Sequence, residues 1–139
     1  MKKNIIILFF LSIGLLISSC SNVSEKDLIH LNGYWEIEEV RSHGETFNPR
    51  GGVVLVDFYQ MDGTTGFRKK LAPSLDKTYS SSKDQFKFSI LKLEDEFYIN
   101  YPEALEPWKE KILSISKTHL ELEHSDKIYA YKRHEKISL

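Results

Sequence analysis

The chain has 139 residues, and its 19 Lys and Arg residues nearly balance its 20 Asp and Glu residues, which gives a formal net charge of −1. This length fits a single domain once any targeting segment is removed. A charge so close to zero supplies no basic surface of the kind that nucleic-acid-binding proteins carry, so we expect no nucleic-acid partner. The single cysteine excludes a disulfide within the chain, so the fold must be held by its core.

The N-terminus has the parts of a secretory signal peptide. Lys2 and Lys3 supply positive charge, residues 5–17 form an uncharged and mainly aliphatic run, and small residues follow. The run is shorter than the roughly 20 apolar residues that a helix needs to span a bilayer, which disfavours a permanent transmembrane segment. We therefore predict that residues 1–19 are cleaved, which leaves 17 basic and 20 acidic residues and a formal charge of −3.

Ile17-Ser18-Ser19-Cys20 resembles the lipobox of bacterial lipoproteins, in which an aliphatic residue and two small residues precede a cysteine. The resemblance implies that a diacylglyceryl group is attached to Cys20 through a thioether and that cleavage occurs before it. Two acyl chains suffice for stable anchoring, because each buried methylene contributes about 0.8 kcal/mol. An ordinary secretory signal with an unrelated cysteine is the alternative. We expect an envelope protein anchored through Cys20 to the outer membrane, on its periplasmic face rather than on the surface.

The region after Cys20 is polar. We predict that residues 20–30 are the lipidated cysteine and a tether, and that residues 31–139 are the folded domain. The stretch Glu25-Lys26-Asp27 is similar to the lysine-acidic signals that direct some lipoproteins to the outer surface. A solvated linker is the preferred interpretation.

Alternating apolar and polar residues then predict half-buried strands. Trp35 and Ile37 alternate with polar residues, and a bulge beyond them would return Val40 to the inner face. Residues 53–59 are β-branched and aromatic, which predicts a strand, and Asp62-Gly63 predicts a hairpin turn after it.

Turn-forming residues separate these strands. Residues 41–51 are predicted to be a loop, Ala72-Pro73 interrupts the returning strand over residues 65–71, and residues 80–84 form the next turn. The second half of the sequence also alternates between strand and turn patterns. Further strands are predicted over residues 86–90, 97–101, 108–117, 120–123 and 128–133.

No helix is predicted after the signal. About eight to ten short strands joined by short turns predict an all-β fold, a small antiparallel meander closed as a barrel of about eight strands or folded as a sandwich. Closure is favoured because it removes exposed strand edges.

Gly33-Tyr34-Trp35 is similar to the Gly-x-Trp motif of the lipocalins, and the chain's last strand ends in Arg133, where that family commonly has a basic residue. The resemblance implies a lipocalin-like β-barrel over residues 31–139, in which Trp35 closes one end and Arg133 covers it by a cation–π contact. Together with the lipobox, the chain looks like the small lipocalin-like lipoproteins of Bacteroidota.

An eight-stranded barrel is just wide enough to be filled by side chains or to hold one small ligand. Tyr34, Phe58 and Phe97 are our candidates for ligand-lining residues. Alternatively, aromatic side chains fill the interior: Phe58, Phe86, Phe88, Phe97 and Trp108.

The sequence contains no recognisable catalytic or metal-binding constellation. The five histidines have no zinc-like spacing and no cysteine partner, so we expect surface or turn histidines, no metal and no cofactor. Asp57 interrupts an apolar strand, which is compatible with a functional acid. We prefer to interpret it as an outward residue in an imperfect alternation.

These observations predict that the protein is not an enzyme. The leading hypothesis is a membrane-anchored lipoprotein that binds a small apolar ligand or an envelope component. The alternative is an accessory subunit with a filled core that docks onto another envelope protein.

Overall fold

The structure, a computed structural model, describes residues 23–49, 54–73 and 79–135, without the side chains of residues 73, 79–82 and 84. The predicted signal peptide and Cys20 lie outside the described residues. In the described part a 3-10 helix, Glu25–Leu31, precedes nine strands: β1 (Gly33–Ser42), β2 (Glu45–Phe47), β3 (Val56–Asp62), β4 (Thr65–Pro73), β5 (Tyr79–Leu93), β6 (Glu96–Tyr101), β7 (Trp108–Ile115), β8 (His119–His124) and β9 (Lys127–Arg133).

Eight of these strands close into an antiparallel barrel. The neighbours run β1-β3-β4-β5-β6-β7-β8-β9, and β9 pairs back onto β1. The short β2 adds to the end of β1 through a two-residue turn at His43 and Gly44, both with positive φ. The predicted all-β fold and the closed barrel are confirmed. Within the loop expected over residues 41–51, the end of β1 and the strand β2 form a hairpin.

Local signals placed several features correctly. The pairing of β1 with β9 shifts register between Ile37 and Glu39, which is the expected bulge, and Val40 lies opposite Tyr129 as a result. The hairpin turn expected at Asp62-Gly63 joins β3 to β4 through Gly63 and Thr64, with Gly63 at a φ of 60°. Glycine is favoured there because the left-handed region carries no Cβ penalty for it.

The N-terminal helix belongs to the folded domain, which corrects the predicted tether through residue 30 and the expectation of no helix. Leu28 and Leu31 are three residues apart, so on a 3-10 helix they share one face, and both are buried in the core. The side chain of Ser24 donates a hydrogen bond to Asp27 Oδ2 at 2.6 Å, and the backbone amide of Asp27 donates to Ser24 O at 3.0 Å. The domain therefore begins before residue 31.

Strand β5 also differs from the prediction. It runs unbroken over Tyr79–Leu93, through the turn expected at residues 80–84. Ser80 and Ser81 pair with Ala72 and Leu71 of β4, respectively. Ala72 and Pro73 are therefore the last two residues of β4 and not an interruption of it. The ladder supplies backbone hydrogen bonds that outweigh the turn preference of the serine-rich segment.

The two ends of the barrel differ. We call the end that carries the N-terminal helix and the β3–β4 turn the closed end, and the end that carries the β1–β2 and β8–β9 turns the open end. The helix contacts β3 and β7, and its last residue, Leu31, is fully buried, as is Trp35 of β1. The filled core thus occupies the closed half of the barrel. None of the described helical residues forms an apolar segment long enough to cross a membrane.

Candidate ligand cavity at the open end of the barrel

Three charged side chains enter the barrel from different strands. Asp57 of β3 lies opposite Trp35 of β1, which faces the core, and Arg68 of β4 lies opposite Tyr59 and Phe86. Because residues paired across antiparallel strands share a face, both charges point inward. Glu110 of β7 joins them from the far side of the barrel.

We call Asp57, Arg68 and Glu110 the buried triad. Their exposed fractions are 6%, 7% and 8%, respectively. Arg68 Nη2 lies 2.7 Å from Asp57 Oδ2, and Arg68 Nη1 lies 3.2 Å from Glu110 Oε1. The guanidinium therefore bridges two carboxylates, a charge-assisted arrangement that fixes all three side chains.

Tyrosines surround the triad. The Tyr101 hydroxyl donates to Glu110 Oε2 at 3.2 Å, and the Tyr59 ring lies 5.4 Å from the guanidinium carbon of Arg68. Burial raises the pKa values of Tyr59, Tyr101 and Tyr131 well above the usual value near 10, so these hydroxyls stay neutral. Burial alone would lower the pKa of Arg68, but the surrounding tyrosine and carboxylate oxygens raise it, and the guanidinium remains charged.

A cavity of about 490 Å³ lies above the triad, toward the open end. Its walls are mainly aliphatic and aromatic, and its polar groups are the triad, Lys70 and His124. The lining residues are Ile37, Pro49, Leu55, Asp57, Arg68, Lys70, Phe86, Trp108, Glu110, His124, Tyr129 and Tyr131.

The aromatic wall is held in place by ring contacts. Trp108 stacks on Tyr101 with ring centroids 4.2 Å apart and meets Phe86 edge-on at 5.5 Å. Leu55 and Lys70 are about half exposed and mark the mouth. The cavity is thus open to solvent on one side and closed by the triad on the other.

The predicted lining residues do not lie at this cavity. Tyr34 is next to the inward residue Trp35, and Phe58 is next to the inward residue Asp57. Because successive strand residues point to opposite faces, Tyr34 and Phe58 lie on the outer face, where their ring centroids are 4.8 Å apart. Phe97 is buried in the core below. Of the aromatics expected to fill the interior, Phe86, Phe88, Phe97 and Trp108 do belong to or pack on the core.

The structure places Arg133 over Trp35, at 3.8 Å between the guanidinium carbon and the ring centroid. Arg133 also donates to the carbonyl oxygens of His30 and Asn32, each at 2.7 Å, and Trp35 Nε1 donates to Leu31 O at 2.9 Å. These bonds tie the N-terminal helix to the closed end.

The preferred interpretation of Asp57 as an outward residue is wrong. Its neighbours Val56 and Phe58 take the outer face, and Asp57 pairs with Arg68 inside. Arg68 and Glu110 were not singled out from the sequence. The sequence does contain a signal for Glu110. It lies two residues from both Trp108 and Ile112, so it shares their inward face.

Within residues 23–49, 54–73 and 79–135, no three His, Cys, Asp or Glu side chains are grouped as a metal site would require. His124 lies at the cavity, and its Nδ1 is 3.1 Å from Lys109 O. A carbonyl oxygen only accepts, so Nδ1 carries a proton.

Three solved structures are similar to this barrel. A lipocalin-like protein from Bacteroides uniformis is 12% identical with a TM-score of 0.47, over 76% of this chain and 99% of that one. An uncharacterized protein from Bacteroides eggerthii is 11% identical with a TM-score of 0.48, over 75% and 99%. Apocrustacyanin C2 is 15% identical with a TM-score of 0.51, over 83% of this chain and 67% of that one.

The fold is lipocalin-like. At these identities the likeness concerns the fold alone. No protein-family model matches the chain, and no curated protein does.

Proposed function

We propose that the protein binds a small, largely apolar molecule in the cavity at the open end, without catalysis. The observation that carries the proposal is the cavity of about 490 Å³ above the buried triad. Sites for small molecules usually measure roughly 300–1,000 Å³ and combine apolar walls with a few fixed polar groups. This cavity has both properties.

The alternative, an accessory subunit that docks onto another envelope protein, predicts a barrel whose interior is filled by its own side chains. The closed half of the barrel is filled, but the open half is not. The preformed aromatic wall around Trp108 favours a ligand over a purely structural barrel.

The binding proposal is tested with N-phenyl-1-naphthylamine, a neutral apolar probe whose fluorescence rises in apolar surroundings. We expect one probe to bind per protein. Leu55→Trp at the mouth should weaken this binding at least about tenfold, because the larger side chain occupies the entrance. The matched control is Leu93→Trp, since Leu93 is similarly exposed but lies at the closed end of β5. Equal probe binding by both variants would contradict the cavity as the site.

We also propose that a lipid on Cys20 anchors the protein to the outer membrane on the periplasmic side. The support is the lipobox resemblance in the sequence. Cys20→Ser in the full-length chain is expected to move the protein from the detergent phase to the aqueous phase of a Triton X-114 separation, because the thioether cannot form. A serine variant that stays in the detergent phase would show that Cys20 carries no anchor.

A further inference from the structure

We infer that the cavity selects a molecule with an apolar body and a cationic, hydrogen-bond-donating head such as an alkyl ammonium group, and that it discriminates against a carboxylate head. The inference rests on the proposed function and adds the chemical class of the ligand. It follows from the charges at the cavity floor.

The buried triad contains two carboxylates and one guanidinium. All three residues are more than nine-tenths buried, so water screens them little. The two carboxylates share a single guanidinium, so the cavity floor has one carboxylate more than it has buried cations within the described part of the barrel. A cationic group of a ligand in the cavity would supply the missing positive charge.

Lys70 neutralises the negative charge of this extra carboxylate only in part. Its Nζ lies 3.8 Å from Asp57 Oδ1, beyond hydrogen-bonding distance, and its side chain is about half exposed at the mouth. A lysine in that position can extend into water while its methylenes stay on the apolar wall. An incoming ammonium group can therefore take its place beside Asp57.

The hydrogen-bonding capacity of the floor favours the same ligand. The Arg68 Nη atoms are already bonded to Asp57 and Glu110, and the Tyr101 hydroxyl donates to Glu110. Arg68 Nε and the Tyr59 hydroxyl have no hydrogen-bond partner among the described residues, but both atoms are fully buried, so a ligand in the cavity does not reach them. The carboxylates, in contrast, each offer about four acceptor positions, of which the described contacts use only some. A primary ammonium group brings three donors to this surface, whereas a carboxylate head would bring only acceptors.

The remaining titratable group at the cavity does not change this preference. His124 holds a proton on Nδ1 against Lys109 O, so its neutral form offers Nε2 as an acceptor. The Nδ1 proton is used in the hydrogen bond to Lys109 O, so this nitrogen is not available as a donor to an anionic head.

The test compares three ligands with the same ten-carbon chain, decylamine, 1-decanol and decanoate, by displacement of N-phenyl-1-naphthylamine at pH 8. We expect decylamine to bind at least about tenfold more tightly than decanoate, with decanol between them. Asp57→Asn and Glu110→Gln should each reduce the ratio of amine to carboxylate affinity several-fold. The control is Glu103→Gln, an equal charge change at an exposed residue of the open end.

The outcomes separate this inference from the proposed function. If the probe binds but decanoate displaces it as well as decylamine does, or no ten-carbon ligand displaces it, the inference is overturned and the cavity remains a binding site. If the probe itself does not bind, the proposed function fails. The wild-type ranking decides the question even where a triad variant does not fold.

Discussion

Replacing Arg68 with Met is expected to lower the free energy of unfolding by about 3–5 kcal/mol at neutral pH. The substitution leaves Asp57 and Glu110 buried and unpaired, and the cost of an uncompensated buried charge exceeds the value of the pair itself. Urea unfolding followed by tryptophan fluorescence measures the loss. For a domain of ordinary stability, about 5–15 kcal/mol, this is a large fraction of the total.

The loss should arise from the two carboxylates that the substitution leaves unpaired, because a buried charge without a partner is costly. Adding Asp57→Asn and Glu110→Gln to Arg68→Met should restore much of the stability at pH 7. The control is Lys70→Met on the same strand, which should cost less than about 1 kcal/mol because the lysine side chain is about half exposed and its contact with Asp57 is long, at 3.8 Å. Equal losses for the two single variants would refute the role of the triad.

Trp35→Ala is expected to lower the free energy of unfolding by about 3–5 kcal/mol. The side chain is fully buried, and its removal leaves a large void, a lost hydrogen bond to Leu31 O and an Arg133 without the ring beneath it. The N-terminal helix loses one of its ties to the barrel at the same time. The measurement is again urea unfolding, at matched protein concentration.

Phe47→Ala is the matched control for Trp35→Ala, because it also removes an aromatic ring but from a largely exposed position on β2. Exposed substitutions usually change stability by less than about 0.5 kcal/mol. If both variants unfold at the same urea concentration, the closed end is not where the barrel is stabilised.

The features that sequence predicts well here are local. The turn signalled by Asp62-Gly63 and the bulge that returns Val40 to the inner face depend on a few neighbouring residues. The Gly-x-Trp resemblance likewise concerns two residues at the start of β1. The N-terminal helix was missed because its two buried leucines, three apart, have a 3-10 spacing within an otherwise polar stretch.

The buried triad could not be predicted in the same way. Strand β3 carries apolar residues on both faces, since Val56 is buried on the outside and Tyr59 on the inside. Alternation alone therefore does not reveal on which side Asp57 lies. Arg68 and Glu110 are 42 residues apart in sequence, and they meet only when β4 and β7 face each other across the barrel.

The packing of Val23 at the start of the domain has a consequence for how the barrel would stand on a membrane. Val23 lies against the core, just before the helix at the closed end. A lipid on Cys20 would be joined to it by three peptide units, which span at most about 11 Å. The seven residues of β3 extend about 23 Å, so the tilted barrel would hold its mouth roughly 18 Å above that end. The cavity would face away from the anchoring bilayer, and a ligand would reach it through the aqueous phase.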